Sequence, residues 1–249
     1  MFSKICLLIF TVLTILITFL APIIPQSTAY HHFVDTRMFF GVPNFFGVSS
    51  NIFFIIVGSL GLKQIYLSKP LERWPYFILF ISVIFVSFGS SYYHLDPNNQ
   101  TLFWDRLPII IVAMAYFSAI FMERVNPKLG LYLLLPMMIL GAGCVMQWEH
   151  SELIGLGDLR FYVWSQFYPI AMILLMLLLY PPKYTGGYYI FASLGWYAIA
   201  KICEIFDHGI YELTHQIISG HTLKHIIAAI GLYFIVLYLK HRHMLTTRV

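Results

Sequence analysis

Apolar residues in this chain run in long continuous blocks, interrupted by short polar connections. Eight blocks can be drawn, over 5–24, 43–63, 75–94, 102–122, 129–147, 161–180, 187–207 and 219–239. Each is close to the ~20 residues that a helix needs to cross a bilayer. A membrane barrel would show alternating segments of about ten residues instead. Helices also satisfy their own backbone groups in lipid, so continuous runs of this length predict an all-α polytopic helical bundle. Pro108, Pro136 and Pro169 fall inside blocks, where neighbouring helices can re-satisfy the backbone groups that a proline frees.

The first block divides the chain into residues 1–30, an N-terminal transmembrane helix, and residues 31–249, a seven-helix domain. Met1 to Lys4 is a short positive start, and Ser27-Thr-Ala29 resembles a signal cleavage site. The apolar run between them is long for a signal peptide, which favours a retained helix or uncleaved signal anchor.

Composition agrees with the pattern. The chain is 59% hydrophobic and 10% charged, far from the balance of a soluble domain. Its net charge of +4 is too modest to suggest a nucleic-acid partner, and no protein partner is evident. The distribution of charge sets a direction. With the N-terminus inside, Lys4, Lys63, Lys69, Arg73, Arg124, Lys128, Lys183, Lys240, Arg242 and Arg248 lie on the inner side, and only Arg37 and Arg160 on the outer. Lys and Arg concentrate in cytoplasmic loops, so both termini are expected there. Tyr and Trp gather at block ends, as an interfacial belt requires. The cysteines Cys6, Cys144 and Cys203 show neither metal nor disulfide spacing.

Polar groups inside the blocks carry the chemistry. His221 and His225, four residues apart, share one face of the last helix. His94 ends the third block, and Asp105 lies about one turn into the fourth. All enter from the outer side, and at 1.5 Å rise per residue they can share one layer of the outer leaflet. Ser90 sits one turn deeper than His94 on the same face. Ionisable groups in a span need a reason. Three neutral imidazoles suit a zinc site with an open fourth position, where a bound water is acidified. Asp105 would hold that water and move its proton. Ser90 would donate to a developing oxyanion. Copper, iron and nickel also accept imidazoles.

In the seventh block, Lys201 and Glu204 are placed to pair. Glu204 and His208 are candidates to orient a zinc ligand from behind, and Arg106 beside Asp105 is a third candidate for that supporting layer. His31 and His32 are expected in a solvated loop.

Ser90-x3-His94, Trp104-Asp105-Arg106-Leu107-Pro108 and Ser219-Gly220-His221-x3-His225 together resemble the alkaline ceramidase family, within the CREST group of membrane hydrolases. The resemblance covers the last seven blocks, from about Asn44 onward, and is nearest to a bacterial-type member. It implies zinc on His94, His221 and His225, and contact of Asp105 and Ser90 with the zinc water or the reacting carbonyl. The implied reaction is hydrolysis of the amide of ceramide or a similar N-acyl lipid to a fatty acid and a long-chain amine. The implied place is a bacterial inner membrane, with the active site towards the outer side. Two positions depart from the family pattern. The stretch Asp35-Thr-Arg-Met-Phe-Phe-Gly-Val-Pro-Asn44 offers one acid where eukaryotic members carry a calcium site, and calcium needs six to eight oxygens, so none is expected. Arg106 stands where those members commonly have an acid, which alters the electrostatics near the lipid headgroup.

Two other classes stay open on the residues. A receptor or sensor of the progestin and adipoQ receptor type would use zinc structurally, closed by four protein ligands. An ion or proton transporter would use Lys201, Glu204, Asp207 and the histidines as a relay, although such proteins often show internal repeats and none is seen.

Overall fold

A computed structural model describes residues 1–245, so Arg248 lies outside the described residues. The helices are α1 (Phe2–Leu20), α2 (Phe45–Ser49), α3 (Ile52–Ser68), α4 (Arg73–Leu95), α5 (Asn99–Arg124), α6 (Pro127–Leu153), α7 (Arg160–Leu179), α8 (Gly187–Ile205), α9 (Asp207–Leu213) and α10 (Gly220–His241). Helices α2 and α3 count as one apolar span. Seven spans are long and apolar enough to cross a membrane, and α8 with α9 makes an eighth if the bent pair is one. The chain is an all-α, multi-pass membrane protein, as the apolar blocks predict.

The seventh block differs from its expected form. A single helix over 187–207 is predicted, but the helix ends at Ile205 and turns by 81° into α9. Asp207 explains the elbow. Its carboxylate accepts a hydrogen bond from the backbone N–H of His221 at 2.7 Å, one of the donors that the start of α10 leaves without a helical partner. Gly220 allows that approach, because a Cβ there would meet the Cys203 carbonyl and the Asp207 backbone.

Side-chain caps fix the other helix starts around the same end of the bundle. Asn98 caps α5 by accepting from the Gln100 and Thr101 amides, and the Thr101 hydroxyl oxygen accepts from the Asn98 amide in return. Ser219 caps α10 by accepting from the Thr222 amide. Gly89 lets α4 and α5 nearly touch, since a Cβ would meet the Trp104 carbonyl. That close packing sets Ser90 and His94 beside the start of α5.

The helices form an incomplete ring. Packing runs from α7 to α5 and α6, from α5 to α4, from α4 to α3, from α3 to α10 and from α10 to α8. Among the described residues α8 packs chiefly on α10, and its backbone does not pack closely against α7. Helix α1 lies outside the ring against α7, joined by the Thr11 and Tyr168 hydroxyls at 2.9 Å. Residues 21–44 then cross the end of the bundle as a strap.

The strap is anchored at its start by Arg160, which donates to the Ala21 carbonyl at 2.6 Å and is held by the Asp158 carboxylate at 2.8 Å. The Arg160 hydrogen bond keeps Asp158 ionised below the ordinary carboxylate range. A depressed native pKa contributes stability that is complete above the unfolded value and fades as pH falls through the native one. Asp158→Asn should therefore cost about 1–2 kcal/mol at neutral pH, the worth of a hydrogen bond to a charged group. The gap in melting temperature between the two proteins should narrow below about pH 4. A gap that stays constant into acid would contradict this anchor.

Candidate metal centre

His94 comes from the last turn of α4, and His221 and His225 from the first two turns of α10. The ring centroids stand 4.9 Å apart for His94 and His221, 5.0 Å for His94 and His225, and 5.0 Å for His221 and His225. One nitrogen from each ring lies within 4.8 Å of the other two. The three residues are 1%, 8% and 3% exposed. The i, i+4 spacing sets two rings on one face of α10, and the α3 packing shared by α4 and α10 brings the third across.

Both ring nitrogens of His94 are buried without a hydrogen-bond partner. A buried imidazole normally satisfies at least one of its nitrogens. Three imidazoles meeting around an unpaired nitrogen form a donor set that fits a metal ion, and zinc accepts it. The His225 ring is oriented from behind, with its Nδ1 2.8 Å from the Ser50 hydroxyl. The Lys224 ammonium lies 2.9 Å from His221 Nε2 and 3.0 Å from Glu204 Oε1. A neutral imidazole has one acceptor nitrogen and an ammonium only donates, so a metal on either nitrogen ends this contact: at Nε2 it takes the lone pair, and at Nδ1 it leaves Nε2 as an N–H donor.

Asp105 and Ser90 line the cavity beside the triad and neighbour one another. Among the described residues Asp105 joins no ion pair, so Arg106 does not neutralise it. Arg106 turns away instead. Its guanidinium carbon sits 4.0 Å from the centre of the Trp148 ring and 4.3 Å from that of Tyr162, and it donates to Gln26 Oε1 at 2.6 Å. Glu204 pairs with Lys201 at 2.6 Å as the sequence spacing anticipates, and also with Lys224. It therefore reaches the histidines through Lys224. His208 is exposed on α9 and is not brought to the cluster; its neighbour Asp207 reaches His221 instead.

No match to this chain emerges from comparison with family models, curated proteins or solved structures.

The strap supplies contacts that the sequence does not suggest. His31, expected in a solvated loop, bonds Tyr93 and Asn99, both at 2.9 Å. The Phe33 ring covers His94 and His221 with centroids 4.4 Å and 4.9 Å away. Tyr30 donates to Glu204 at 3.2 Å. Ser50 is foreshadowed only by the polar run Ser49-Ser50-Asn51 within an apolar block, and Lys224 only by being a cation within a span. Asp35, the one acid of the stretch compared with a calcium site, is paired with Arg37 at 2.7 Å.

Metal analysis checks this centre. Purified protein should hold one metal equivalent, and His94→Ala and His225→Ala should lose it. Ser50→Ala should keep the metal but weaken its binding about 10- to 100-fold, the usual effect of removing a group that orients a ligand. Full metal retention in His225→Ala would exclude the triad.

Proposed function

We propose that this protein is a zinc-dependent intramembrane hydrolase that cleaves the amide bond of ceramide or a similar N-acyl lipid. The observation that carries the reading is the position of the triad. Through His225 it adjoins, with Asp105 and Ser90, one end of a mostly apolar cavity in the bundle interior.

The cavity holds about 170 Å³. At its head are Tyr30, Ser90, Asp105, Glu204, Lys224 and His225; Ile109, Val112, Leu194, Ala228, Leu232 and Ile235 line it further down. That gradient suits a lipid lying with its amide at the metal and its chain in the bundle. The seam between α7 and α8, where the backbones do not pack closely, gives a sideways route from the bilayer. A structural zinc is closed by four protein ligands. Three metal-ligating groups converge among the described residues, which supports an open position for chemistry.

His94, His221 and His225 would hold the zinc, which when bound supplies Lewis acidity towards a carbonyl and a water. Asp105 takes the proton of the attacking water as the new C–O bond forms. Ser90 donates a hydrogen bond to the carbonyl oxygen as it gains charge. The C–N bond then breaks, and Asp105 returns the proton to the departing amine, leaving a fatty acid and a long-chain amine. Phe33 and the strap cover the histidines and keep bulk water from them.

Orientation follows from charge. Lys4, Lys69, Arg73, Lys128, Lys183 and Lys240 lie at the end of the bundle opposite the histidines, while Arg37 and Arg160 lie at the histidine end. On the positive-inside rule both termini are cytoplasmic and the site faces the outer side.

Acyl-labelled ceramides and other N-acyl lipids offered to zinc-loaded protein should release labelled fatty acid. Asp105→Asn should lower the rate at least about 100-fold while retaining zinc. Ser90→Ala should lower it by about 100-fold with little change in metal content. Undiminished turnover in Asp105→Asn would defeat the mechanism.

A further inference from the structure

Hydrocarbon is what a cavity for a plain alkyl chain should present below its charged head, and this cavity departs from that. Ser193, Tyr197 and Lys201 recur every fourth residue on α8, with Glu204 three further on, and all four line the cavity. This is a polar stripe on one helix face. Lys201 and Glu204 satisfy each other. The two deeper members face polar groups from other helices, Gln166 on α7 and Tyr116 on α5.

These deeper groups form two stations. Tyr197 lies beside Gln166 and Tyr116 beside Ser193, near enough for a weak polar contact, but neither pair reaches good hydrogen-bond geometry, and both tyrosine hydroxyls are buried without a well-made bond. Gln166, Tyr116 and Ser193 are only 7%, 6% and 6% exposed. Polar groups enclosed at membrane depth are costly unless something bonds them. Simple packing does not account for them, because phenylalanine, leucine and alanine would fill the same space without that cost. Each station combines a phenol with an amide or hydroxyl, so each can both donate to and accept from a single hydroxyl group.

Depth separates the stations from the reacting centre. Tyr197 is four residues from Lys201, and Tyr116 is eleven from Asp105. At 1.5 Å per residue Tyr197 lies about 6 Å below Lys201 along α8, and Tyr116 about 16 Å below Asp105 along α5. The residues between them, such as Val112, Ala113 and Leu194, are apolar.

We propose that the lipid held here carries a hydroxyl group within its chain, read by Tyr197 with Gln166 or by Tyr116 with Ser193. Unsubstituted chains are then the poorer ligands, because they add no well-made hydrogen bond at either station. The inference rests on the hydrolase reading only for which end of the lipid reacts.

The test compares N-palmitoyl long-chain amine with its in-chain hydroxy isomers. Zinc-loaded full-length protein in nanodiscs is titrated with each in competition with a fluorescent lipid, and hydrolysis is followed in parallel. At least one hydroxy isomer should bind about tenfold more tightly than the plain lipid, the return from one additional well-made hydrogen bond in a dry site. The preference should disappear in Tyr197→Phe with Gln166→Leu, or in Tyr116→Phe with Ser193→Ala, while the plain lipid still binds. Equal affinity across the series, binding by none of them, or a preference that survives both double variants overturns the proposal. Discrimination in binding without hydrolysis of any member would sink the hydrolase reading alone. Hydrolysis of all members at equal affinity would do the reverse.

Discussion

An imidazole with both nitrogens enclosed by protein and bonded to nothing is the constraint on which this molecule turns. His94 can be tolerated at the end of α4 only if something else meets its nitrogen, and the structure brings two further imidazoles to it. Much of the local architecture serves that meeting. Gly89 brings α4 against α5, Gly220 brings α10 against the α8–α9 elbow, and Asp207 takes the amide of His221. Each of these contacts alone is a modest packing or capping term. Together they fix three rings from two helices within a few ångströms, which thermal fluctuation of independent helices would not maintain.

The opposite end of the bundle shows how this protein treats buried charge when no ligand is involved. Arg242 donates to Glu72 at 2.6 Å and to Glu123 at 3.2 Å, Arg124 pairs with Glu123, and Tyr238 donates to Glu123 at 2.6 Å. Two guanidiniums face two carboxylates, so the cluster is neutral, and every carboxylate oxygen accepts at least one hydrogen bond. Removing one member of such a cluster would strand a charge, at a cost of about 3–5 kcal/mol. It ties the segment after α10 to α4 and α5. Arg124 and Arg242 thus count as inner-side positive residues by position, yet they are internal ties rather than surface charges. At the histidine end His94 and Arg106 retain unpaired nitrogens, whereas the atoms left unpaired around the opposite cluster are the neutral hydroxyls of Tyr76 and Tyr180. Of these, only the His94 nitrogens face other metal-ligating groups.

Much of the fold is legible in the sequence because lipid imposes a length. Seven of the eight apolar blocks correspond to single spans, including the α2–α3 pair. The triad is legible for a related reason, since residue number along a span is a measure of depth, and depth alone shows that His94, His221 and His225 can meet. What depth does not give is azimuth. Arg106 and Asp105 are adjacent, so they point to different sides of α5, and only packing decides that Asp105 faces the cavity while Arg106 enters the aromatic box of Trp148 and Tyr162. His208 is four residues from Glu204 and would share its face on a straight helix. The bend at Phe206 breaks that register, and Asp207 instead takes the backbone amide of His221. The strap is the least legible part, because tertiary partners such as Tyr93 and Asn99 leave no periodic trace around His31.

The strap also gives the first helix a purpose beyond crossing the bilayer. Helix α1 touches the ring chiefly through α7, and most of its surface faces outward. Yet its end determines where residues 21–44 begin. Arg160 and the Leu159 amide hold that start at Ala21 and Ile24, and Gln26, Tyr30, His31 and Phe33 then reach Arg106, Glu204, Tyr93 and the histidines in turn. A strap tied only at Asn44, where the side-chain amide caps the His94 carbonyl, would have one fixed end. With α1 docked it has two, and the ordering entropy of the intervening residues is reduced accordingly. The cover over the imidazoles is therefore set by a helix on the far side of α7, through a chain of polar contacts rather than through the core.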